Sequence, residues 1–373
     1  MTDNKSRSES KMTRLVREHL LAIEGYAPIE PPEVVAKELG IPADQIIKLD
    51  ANENLYGPSP RVKGALAAFD GYHYYPDPEQ REVRTAVARY AGVDPEQVVL
   101  GNGSDEMLDL CARLFLSPGD SLVNFPPSFG VYSFLGHIYD ANIVHVERAE
   151  DFSIDMERAE RELQRAKLAF VASPNNPTGN PISRDELERL LAPGAVIAVD
   201  EAYSEFAGES FADLVKRHDN LIVLRTFSKW AGLAGMRAGY AIVPEALAEL
   251  IWRVKIPYNL TVAAERAILA SLEDVPALLE TVDLIKAERE RMHAKFASLP
   301  WLRPFPSSAN FILCEVKGIA AKDVRAQLRQ RGILVRYFDS PGLRNCIRVS
   351  VGRPQDTESV ITALTEIGAS VRA

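Results

Sequence analysis

Lys229 lies in a segment where a lysine amine could act as a nucleophile. The sequence of residues 225–237 is RTFSKWAGLAGMR, which surrounds Lys229 with hydroxyl and apolar side chains and adds a second cation at Arg237. An unperturbed lysine has a pKa of about 10.4, and burial or a nearby cation lowers that pKa. A neutral amine of this kind can bond to a carbonyl carbon and can accept a proton. A solvated surface lysine is the alternative, but it leaves the apolar neighbours unexplained.

Three more polar segments directly follow short apolar runs. They are GNGSDE at 101–106, SPNNPTG at 173–179 and DEAY at 200–203. The first is a glycine-rich turn ahead of a helical pattern, and free N–H groups at a helix start bind phosphate well. It lacks the third glycine of the dinucleotide motif GxGxxG, so a nicotinamide enzyme is a weaker interpretation, and a plain turn capped by Ser104 is another alternative. Asp200 would be costly at the end of a buried strand without a cation partner.

The apolar runs themselves predict the strands that position these segments. They occupy residues 98–100, 122–125, 143–146, 168–172, 196–199, 221–224 and 239–243. Each run is too short for a helix and is rich in branched residues, and helix-length segments separate the runs. This pattern predicts a doubly wound, mostly parallel sheet. Because ligands bind beyond the carboxyl ends of such strands, we expect the polar segments to meet at one edge.

The rest of the chain indicates a second, smaller unit. After residue 256, long helical patterns lead to strand-like runs at 309–314, 333–337 and 346–351. We therefore predict a large domain over 63–255 and a smaller α+β domain over 256–373, with residues 1–62 forming an arm and part of the small domain. Apolar residues at helical spacing near the N-terminus predict an amphipathic segment that ends near Gly25. These residues are Met12, Leu15, Val16, Leu20 and Ile23.

Composition and charge exclude several classes of function. The chain has 373 residues, 46% of them hydrophobic, and a formal net charge of -9, which argues against a nucleic-acid partner. No apolar stretch resembles a signal peptide or a membrane span, so we expect neither export nor a membrane partner. Cys111, Cys314 and Cys346 are far apart in the sequence, which fits a reducing cytoplasm. The histidines form no HExxH motif, and we expect no bound metal.

The strand-end segments together resemble a known family. GNGSDE, SPNNPTG, VDEAY and TFSKWAGLAGMRAG occur in the order and spacing of the fold-type-I, class I and II aminotransferases, which depend on pyridoxal 5'-phosphate (PLP). The segments LDANENLYGPSP (49–60), YYPDP (74–78) and CIRVSVG (346–352) resemble the histidinol-phosphate aminotransferase branch. The resemblance covers nearly the whole chain. It implies a large PLP-binding domain with a mostly parallel seven-stranded sheet, a smaller α+β domain and a homodimer with shared active sites.

The resemblance also implies a role for each strand-end residue. Lys229 would carry PLP covalently and then move a proton as general base, and Asp200 would pair with the ring nitrogen. The other implied cofactor-binding residues are Asn176 and Tyr203 at the ring's 3'-oxygen, Ser104, Asp105, Thr226, Ser228 and Arg237 at the phosphate, Phe129 at the ring face, and Tyr75 from the neighbouring subunit. Many relatives have tyrosine in place of Phe129, and an ordinary core residue is the alternative for it.

For the substrate, the resemblance implies Tyr26, Asn176, Arg336 and Arg348. Both arginines lie in strand-like apolar runs, where a guanidinium needs an anionic partner such as a substrate carboxylate or phosphate. A structural ion pair is the alternative for either arginine. Residues 54–56 are Asn-Leu-Tyr, where the branch commonly has Asn-Pro-Tyr.

The expected reaction transfers an amino group from L-histidinol phosphate to 2-oxoglutarate, giving imidazole acetol phosphate and L-glutamate. An aromatic amino acid aminotransferase and a phosphothreonine decarboxylase are the alternatives within the same superfamily, because the contacts to the cofactor ring are common to all three. A non-catalytic PLP-sensing module of a transcription regulator would need an added DNA-binding domain and a basic face, and the chain has room for neither.

Overall fold

Strands and helices alternate along most of the structure, a computed structural model that describes residues 12–23, 25 and 29–372, apart from the side chains of 370–372. The strands are β1 (Ile47–Leu49), β2 (Val98–Asn102), β3 (Ser121–Asn124), β4 (Asn142–His145), β5 (Leu168–Ala172), β6 (Val196–Asp200), β7 (Leu221–Thr226), β8 (Ala238–Ile242), β9 (Leu302–Pro304), β10 (Phe311–Val316), β11 (Ile333–Tyr337) and β12 (Cys346–Ser350). The helices are α1 (Pro32–Leu39), α2 (Pro60–Ala67), α3 (Arg81–Ala91), α4 (Gly103–Phe115), α5 (Val131–Ile138), α6 (Met156–Leu163), α7 (Arg184–Leu191), α8 (Ser204–Ala207), α9 (Glu245–Val254), α10 (Val262–Leu272), α11 (Val275–Ala297), α12 (Ala321–Gln330) and α13 (Pro354–Arg372).

Strands β2 to β8 form one seven-stranded sheet, in the order β2-β8-β7-β6-β5-β3-β4. Neighbouring strands run parallel except at β8, which is antiparallel to both β2 and β7. The expected mostly parallel seven-stranded sheet is therefore confirmed. The strand bounds differ from the predicted runs by no more than two residues.

This sheet is buried on both faces, which explains why its strands are continuous apolar runs rather than alternating ones. Along β5, Ala169 and Val171 pack into one hydrophobic cluster, whereas Phe170 and Ala172 pack into the other. Successive side chains of a strand point to opposite faces, so each strand contributes to both clusters. Helix α3 covers the first face and α4 covers the second.

A second sheet has five strands in the order β1-β11-β12-β10-β9. Strand β1, from the N-terminal part of the chain, pairs in parallel with β11, and the other pairings in this sheet are antiparallel. The polar segment that follows β1 is thereby held next to the β11 and β12 strands. This position matters because residues 51–53 line the cavity at the carboxyl edge of the larger sheet.

The N-terminal residues do not form the single helical segment that their apolar spacing predicts. Two short 3-10 turns occur instead, at Thr13–Leu15 and Glu18–Ala22, and Val16 between them is extended. Leu15 is 84% exposed and neither turn contains a buried residue, so too little apolar surface is buried to stabilise a longer helix. Across the described ranges, no helix combines the length and the apolar character needed to cross a bilayer.

Candidate active site

The carboxyl ends of β2, β5, β6 and β7 open onto one cavity of about 740 Å³. The predicted site residues that line it are Ser104, Asp105, Phe129, Asn176, Asp200, Tyr203, Thr226, Ser228, Lys229, Arg237 and Arg348. The parallel strands bring these side chains together because their carboxyl ends share one edge of the sheet. The residues come from segments that are far apart in the sequence, so the cavity is a product of the fold.

Lys229 lies just beyond β7, and its Nζ donates a hydrogen bond of 3.0 Å to the carbonyl oxygen of Ala51. Burial and, to a smaller extent, the charge of Arg348 lower the pKa of Lys229 to about 8. The cations that lower this pKa are Arg348 and, more weakly, Lys48, and not Arg237 as the sequence suggests. A larger fraction of the amine is neutral near pH 7 than in an exposed lysine, which favours attack on a carbonyl carbon.

Asp200 ends β6 with its carboxylate buried. Its Oδ2 accepts a 2.8 Å hydrogen bond from the Tyr132 hydroxyl, and its Oδ1 accepts one of 3.1 Å from the Ala202 N–H. Burial nevertheless raises the pKa of Asp200 to about 6, because desolvation outweighs these two hydrogen bonds. Because the Asp200 carboxylate is desolvated, a cation that enters the cavity stabilises its charged form strongly. Sequence reasoning missed Tyr132, since nothing in its apolar helix segment distinguishes it from a core tyrosine.

Tyr203 and Asn176 both line the cavity. The Tyr203 hydroxyl accepts a 2.9 Å hydrogen bond from the side-chain amide of Asn52. Asn52 is buried, has a φ of 54° and also bonds to Ser350 in β12, so it ties the segment after β1 to both sheets. Asn52 was another residue that the sequence analysis did not single out, although it lies within the quoted segment 49–60.

The groups expected to bind a phosphate lie where β2 leads into α4. Gly103 has a φ of 78°, which allows the sharp entry into the helix whose first turn contains Ser104 and Asp105. The Thr226 hydroxyl lies 2.9 Å from Ser228 Oγ, and Arg237 donates a 2.8 Å hydrogen bond to Asp105. Free N–H groups, hydroxyls and a guanidinium are the groups that bind a phosphate.

Arg348 and Arg336 lie opposite one another on the paired strands β12 and β11. Arg348 is 5% exposed and donates 2.6 Å hydrogen bonds to Asn176 Oδ1 and to the Asp50 carbonyl oxygen. Arg336 does not line the first cavity. Its guanidinium lies 5.7 Å from the ring centre of Phe338, and it lines a second cavity of about 500 Å³ that adjoins the first at Phe129, Asn176 and Arg348.

Tyr75, like Arg336, is a predicted residue that does not line this cavity. Tyr75 is 82% exposed, and its ring packs at a tilt of 32° against Tyr258, with 4.8 Å between ring centres. It does not line the cavity of its own chain, and its expected role toward a neighbouring subunit stays a prediction. Tyr26 lies outside the described residues. Within the described ranges, His, Cys, Asp and Glu side chains form no group of three or more that could hold a metal ion.

The chemistry of the cavity fits PLP. Lys229 offers an amine for the aldehyde of PLP, Asp200 a buried carboxylate for its ring nitrogen, and the start of α4 an anion site for its phosphate. Phe129 lies in the wall of the same cavity, as an aromatic neighbour for a flat ring. The fold and this site define the class as a fold-type-I PLP-dependent enzyme.

The chain belongs to the family described as aminotransferase class I and II, whose model matches residues 44–364. A histidinol-phosphate aminotransferase from Roseiflexus castenholzii is 50% identical over 368 residues, which cover 96% of this chain and 99% of the relative. A histidinol-phosphate aminotransferase from Dehalococcoides mccartyi strain 195 is 43% identical over 358 residues, with 96% and 99% covered. The resemblance to this family that the sequence motifs indicated is confirmed.

A solved structure supports the same conclusion at the level of the fold. The histidinol-phosphate aminotransferase from Sinorhizobium meliloti, in complex with pyridoxal-5'-phosphate, superimposes with a TM-score of 0.85 at 27% identity. The match covers 95% of this chain and 97% of that structure. The two-sheet architecture described above is therefore that of an aminotransferase of this branch.

Proposed function

We propose that the chain is a PLP-dependent histidinol-phosphate aminotransferase, which transfers the amino group of L-histidinol phosphate to 2-oxoglutarate. The observation that carries this proposal is the 50% identity to a histidinol-phosphate aminotransferase along nearly the whole chain. The cavity supplies the chemistry, because an amine of lowered pKa, a buried carboxylate and an anion site open onto the same space.

PLP, when bound, supplies an electron-withdrawing ring that accepts the electron pair left when a proton leaves the carbon next to the substrate nitrogen. Lys229 Nζ would hold PLP and, once the substrate amine has displaced it, would be free to take that proton, and its pKa of about 8 suits a general base that works near neutral pH. Asp200 holds a proton on the ring nitrogen and so keeps the ring electron-withdrawing. Asn176 and Tyr203 orient the ring through its 3'-oxygen, and Phe129 covers one ring face.

The phosphate of PLP is assigned to the start of α4. The N–H groups of Ser104 and Asp105 bind it there, together with the Thr226 and Ser228 hydroxyls and the Arg237 guanidinium. Gly239 on β8 supports this arrangement, since a Cβ atom at Gly239 would lie 2.5 Å from the Ser104 backbone nitrogen. Only glycine at this position lets the strand approach the turn closely enough.

The anionic end of the substrate is assigned to Arg348, with Arg336 assisting from the adjoining cavity and Asn176 and Tyr26 as further contacts. Arg348 lies at the wall that the two cavities share, so an anion bound there stays within reach of Lys229. A planar guanidinium pairs with a carboxylate or with a phosphate ester. One arginine can thus serve both L-glutamate and L-histidinol phosphate.

The proposal also covers the oligomeric state, the cellular location, the partners and the domain division of the protein. We assign a cytoplasmic homodimer in which Tyr75 of one subunit reaches the cofactor phosphate of the other, and Tyr75 is exposed enough to do so. Small molecules are its partners, and no nucleic acid or membrane is expected. Residues 63–255 would form the large domain and 256–373 the small one, with residues 1–62 as an arm that adds β1 to the second sheet.

The reaction is tested by offering the PLP-loaded protein four substrates separately. These are L-histidinol phosphate, L-phenylalanine and L-phosphothreonine, each with 2-oxoglutarate, and L-glutamate with imidazole acetol phosphate. We expect transfer in both directions of the histidinol-phosphate reaction, with kcat/KM well above that for L-phenylalanine. Preferred turnover of L-phenylalanine would indicate an aromatic aminotransferase instead. Release of carbon dioxide from L-phosphothreonine would indicate a decarboxylase.

A further inference from the structure

A network of polar side chains lies behind the start of α4, with Asn259 at its centre. The Asn259 side-chain amide donates hydrogen bonds to both carboxylate oxygens of Glu106, at 3.0 and 2.9 Å, and to the Leu100 carbonyl oxygen at 3.2 Å. Leu100 is in β2 and Glu106 is in the first turns of α4. One asparagine thus bonds to both sides of the turn that joins the strand to the helix.

Two further atoms of Asn259, its Oδ1 and its backbone carbonyl oxygen, also accept hydrogen bonds. Its Oδ1 accepts hydrogen bonds from Gln80 Nε2 at 3.1 Å and from Lys255 Nζ at 2.6 Å. Its backbone carbonyl oxygen accepts one of 2.6 Å from the side-chain amide of Asn102, the last residue of β2. Gln80 and Lys255 flank α3 and α9, so Asn259 is held from two further elements and is itself firmly positioned.

Glu106, which Asn259 positions, in turn restrains the backbone of the turn between β2 and α4. Its Oε2 accepts a 2.5 Å hydrogen bond from the Asn102 N–H, which fixes the residue immediately before Gly103. The turn contains Gly101 and Gly103, and glycines make an unsupported turn conformationally free. Ordering such a turn only when a ligand binds would weaken binding, whereas a turn ordered in advance avoids that cost.

We propose that Asn259 is a positioning residue for the phosphate of the cofactor. Through Glu106, Leu100 and Asn102 it holds the turn in the conformation that presents the N–H groups of Ser104 and Asp105 to the phosphate. The inference rests on the proposed phosphate site at the start of α4. The loop that carries Asn259 also carries Tyr258, whose ring packs against Tyr75, so it contacts two parts of that proposed site.

The test compares two ligands that differ only in the phosphate. The dissociation constants of PLP and of pyridoxal, which lacks the phosphate, are measured on the apoprotein and on the Asn259→Ala and Asn259→Asp variants. We expect the Kd of PLP to rise by about tenfold or more and the Kd of pyridoxal to change by less than about twofold. Asn259→Asp keeps the shape of the side chain but loses its N–H donor and places a second negative charge next to Glu106. This variant tests the role of Asn259 in phosphate binding if the alanine variant does not fold.

Asn220→Ala is the matched control, because the Asn220 side chain also donates two hydrogen bonds to backbone carbonyls, those of Leu191 and Ala195, and does not line the cavity. It should lower the melting temperature and leave the ratio of the two Kd values unchanged. An equal loss of PLP and pyridoxal binding in the Asn259 variants, or no loss of PLP binding, would overturn the proposal.

Arg237→Leu distinguishes a wrong role for Asn259 from a wrong location of the phosphate site. If that site is correct, Arg237→Leu weakens binding of PLP and not of pyridoxal. A phosphate-specific loss in Arg237→Leu without one in the Asn259 variants would reject the role of Asn259 alone. Absence of a phosphate-specific loss in both would show that the phosphate binds elsewhere.

Discussion

The Tyr132 hydroxyl donates a 2.8 Å hydrogen bond to Asp200 Oδ2, and both side chains are buried, Asp200 in the wall of the cavity and Tyr132 behind it. This bond stabilises the charged form of a carboxylate whose pKa burial raises to about 6. Tyr132 therefore supports the residue that is assigned to the ring nitrogen, although it lies too deep to line the cavity itself.

Tyr132→Phe should raise the pKa of Asp200 further, since the carboxylate loses a donor. Ionised Asp200 is needed to hold the ring nitrogen, so PLP binding to the apoprotein weakens as pH falls through this pKa. In the variant we expect that loss to begin at a pH higher by up to about one unit. Tyr90→Phe, which also removes a hydroxyl from a carboxylate, that of Glu205, is the control and should not shift the profile. Superimposable profiles for Tyr132→Phe and the unmodified protein would contradict the account.

Asp200→Asn should cut the transamination rate at least about a hundredfold, because a neutral amide cannot stabilise the protonated ring nitrogen. Much of the cofactor binding should persist. The pKa of Asp200 is about 6 in the folded protein and 3.8 ordinarily. Because ionising this carboxyl is harder in the folded state, the charged form lowers the free energy of unfolding by about 3 kcal/mol at pH 7. This destabilisation disappears when the pH falls below the unfolded-state pKa. The melting temperature of the apoprotein should accordingly not fall in Asp200→Asn. Near-normal turnover would show that the carboxylate is only structural.

The larger sheet and the residues at its carboxyl edge could be predicted from sequence because each depends on a local pattern. Continuous apolar runs mark strands buried on both faces, and Lys229 and Asp200 follow such runs directly. Tyr132, Asn52 and Asn259 could not be found in this way. Each acts through a partner that is distant in sequence, and the pairing exists only once the sheets are assembled.

The prediction of a helical segment near the N-terminus was wrong for a related reason. Helical spacing of Met12 to Ile23 predicts a helix only if the apolar face is packed, and in this chain Leu15 remains exposed. The cation that lowers the pKa of Lys229 was also misassigned. Arg237 is near in sequence, but its guanidinium pairs with Asp105, whereas Arg348 comes from another sheet and acts on the lysine.

Arg348→Lys retains the positive charge but loses the planar guanidinium, so KM should rise for both L-glutamate and L-histidinol phosphate. The kcat should also fall, because the reacting carbon of the substrate is misplaced. Arg348→Leu should lower kcat/KM by about a hundredfold or more. Arg336 variants should impair the phosphorylated substrate most. Arg344→Leu, which removes an exposed arginine paired with Asp339, is the control. Unchanged kcat/KM for both substrates in Arg348→Leu would mean that the anion is bound elsewhere.

The proposed role of Tyr75 in the neighbouring subunit predicts complementation. Tyr75→Ala should bind PLP weakly, and Lys229→Ala should be inactive. Refolding the two variants together should restore activity at low PLP concentration, because a mixed dimer contains one site with both Lys229 and a neighbouring Tyr75. Each variant refolded alone provides the control. Mixtures no more active than the sum of the two would show that Tyr75 does not act across the subunits.

The most direct test concerns the bond between PLP and Lys229. The PLP-loaded protein is reduced with borohydride and digested, and the modified peptide is located by mass spectrometry. The account predicts that the cofactor is fixed to Lys229, and that Lys229→Ala carries no fixed cofactor and loses at least about four orders of magnitude in turnover. Cofactor fixed to a different lysine, or fixed equally in Lys229→Ala, would contradict it.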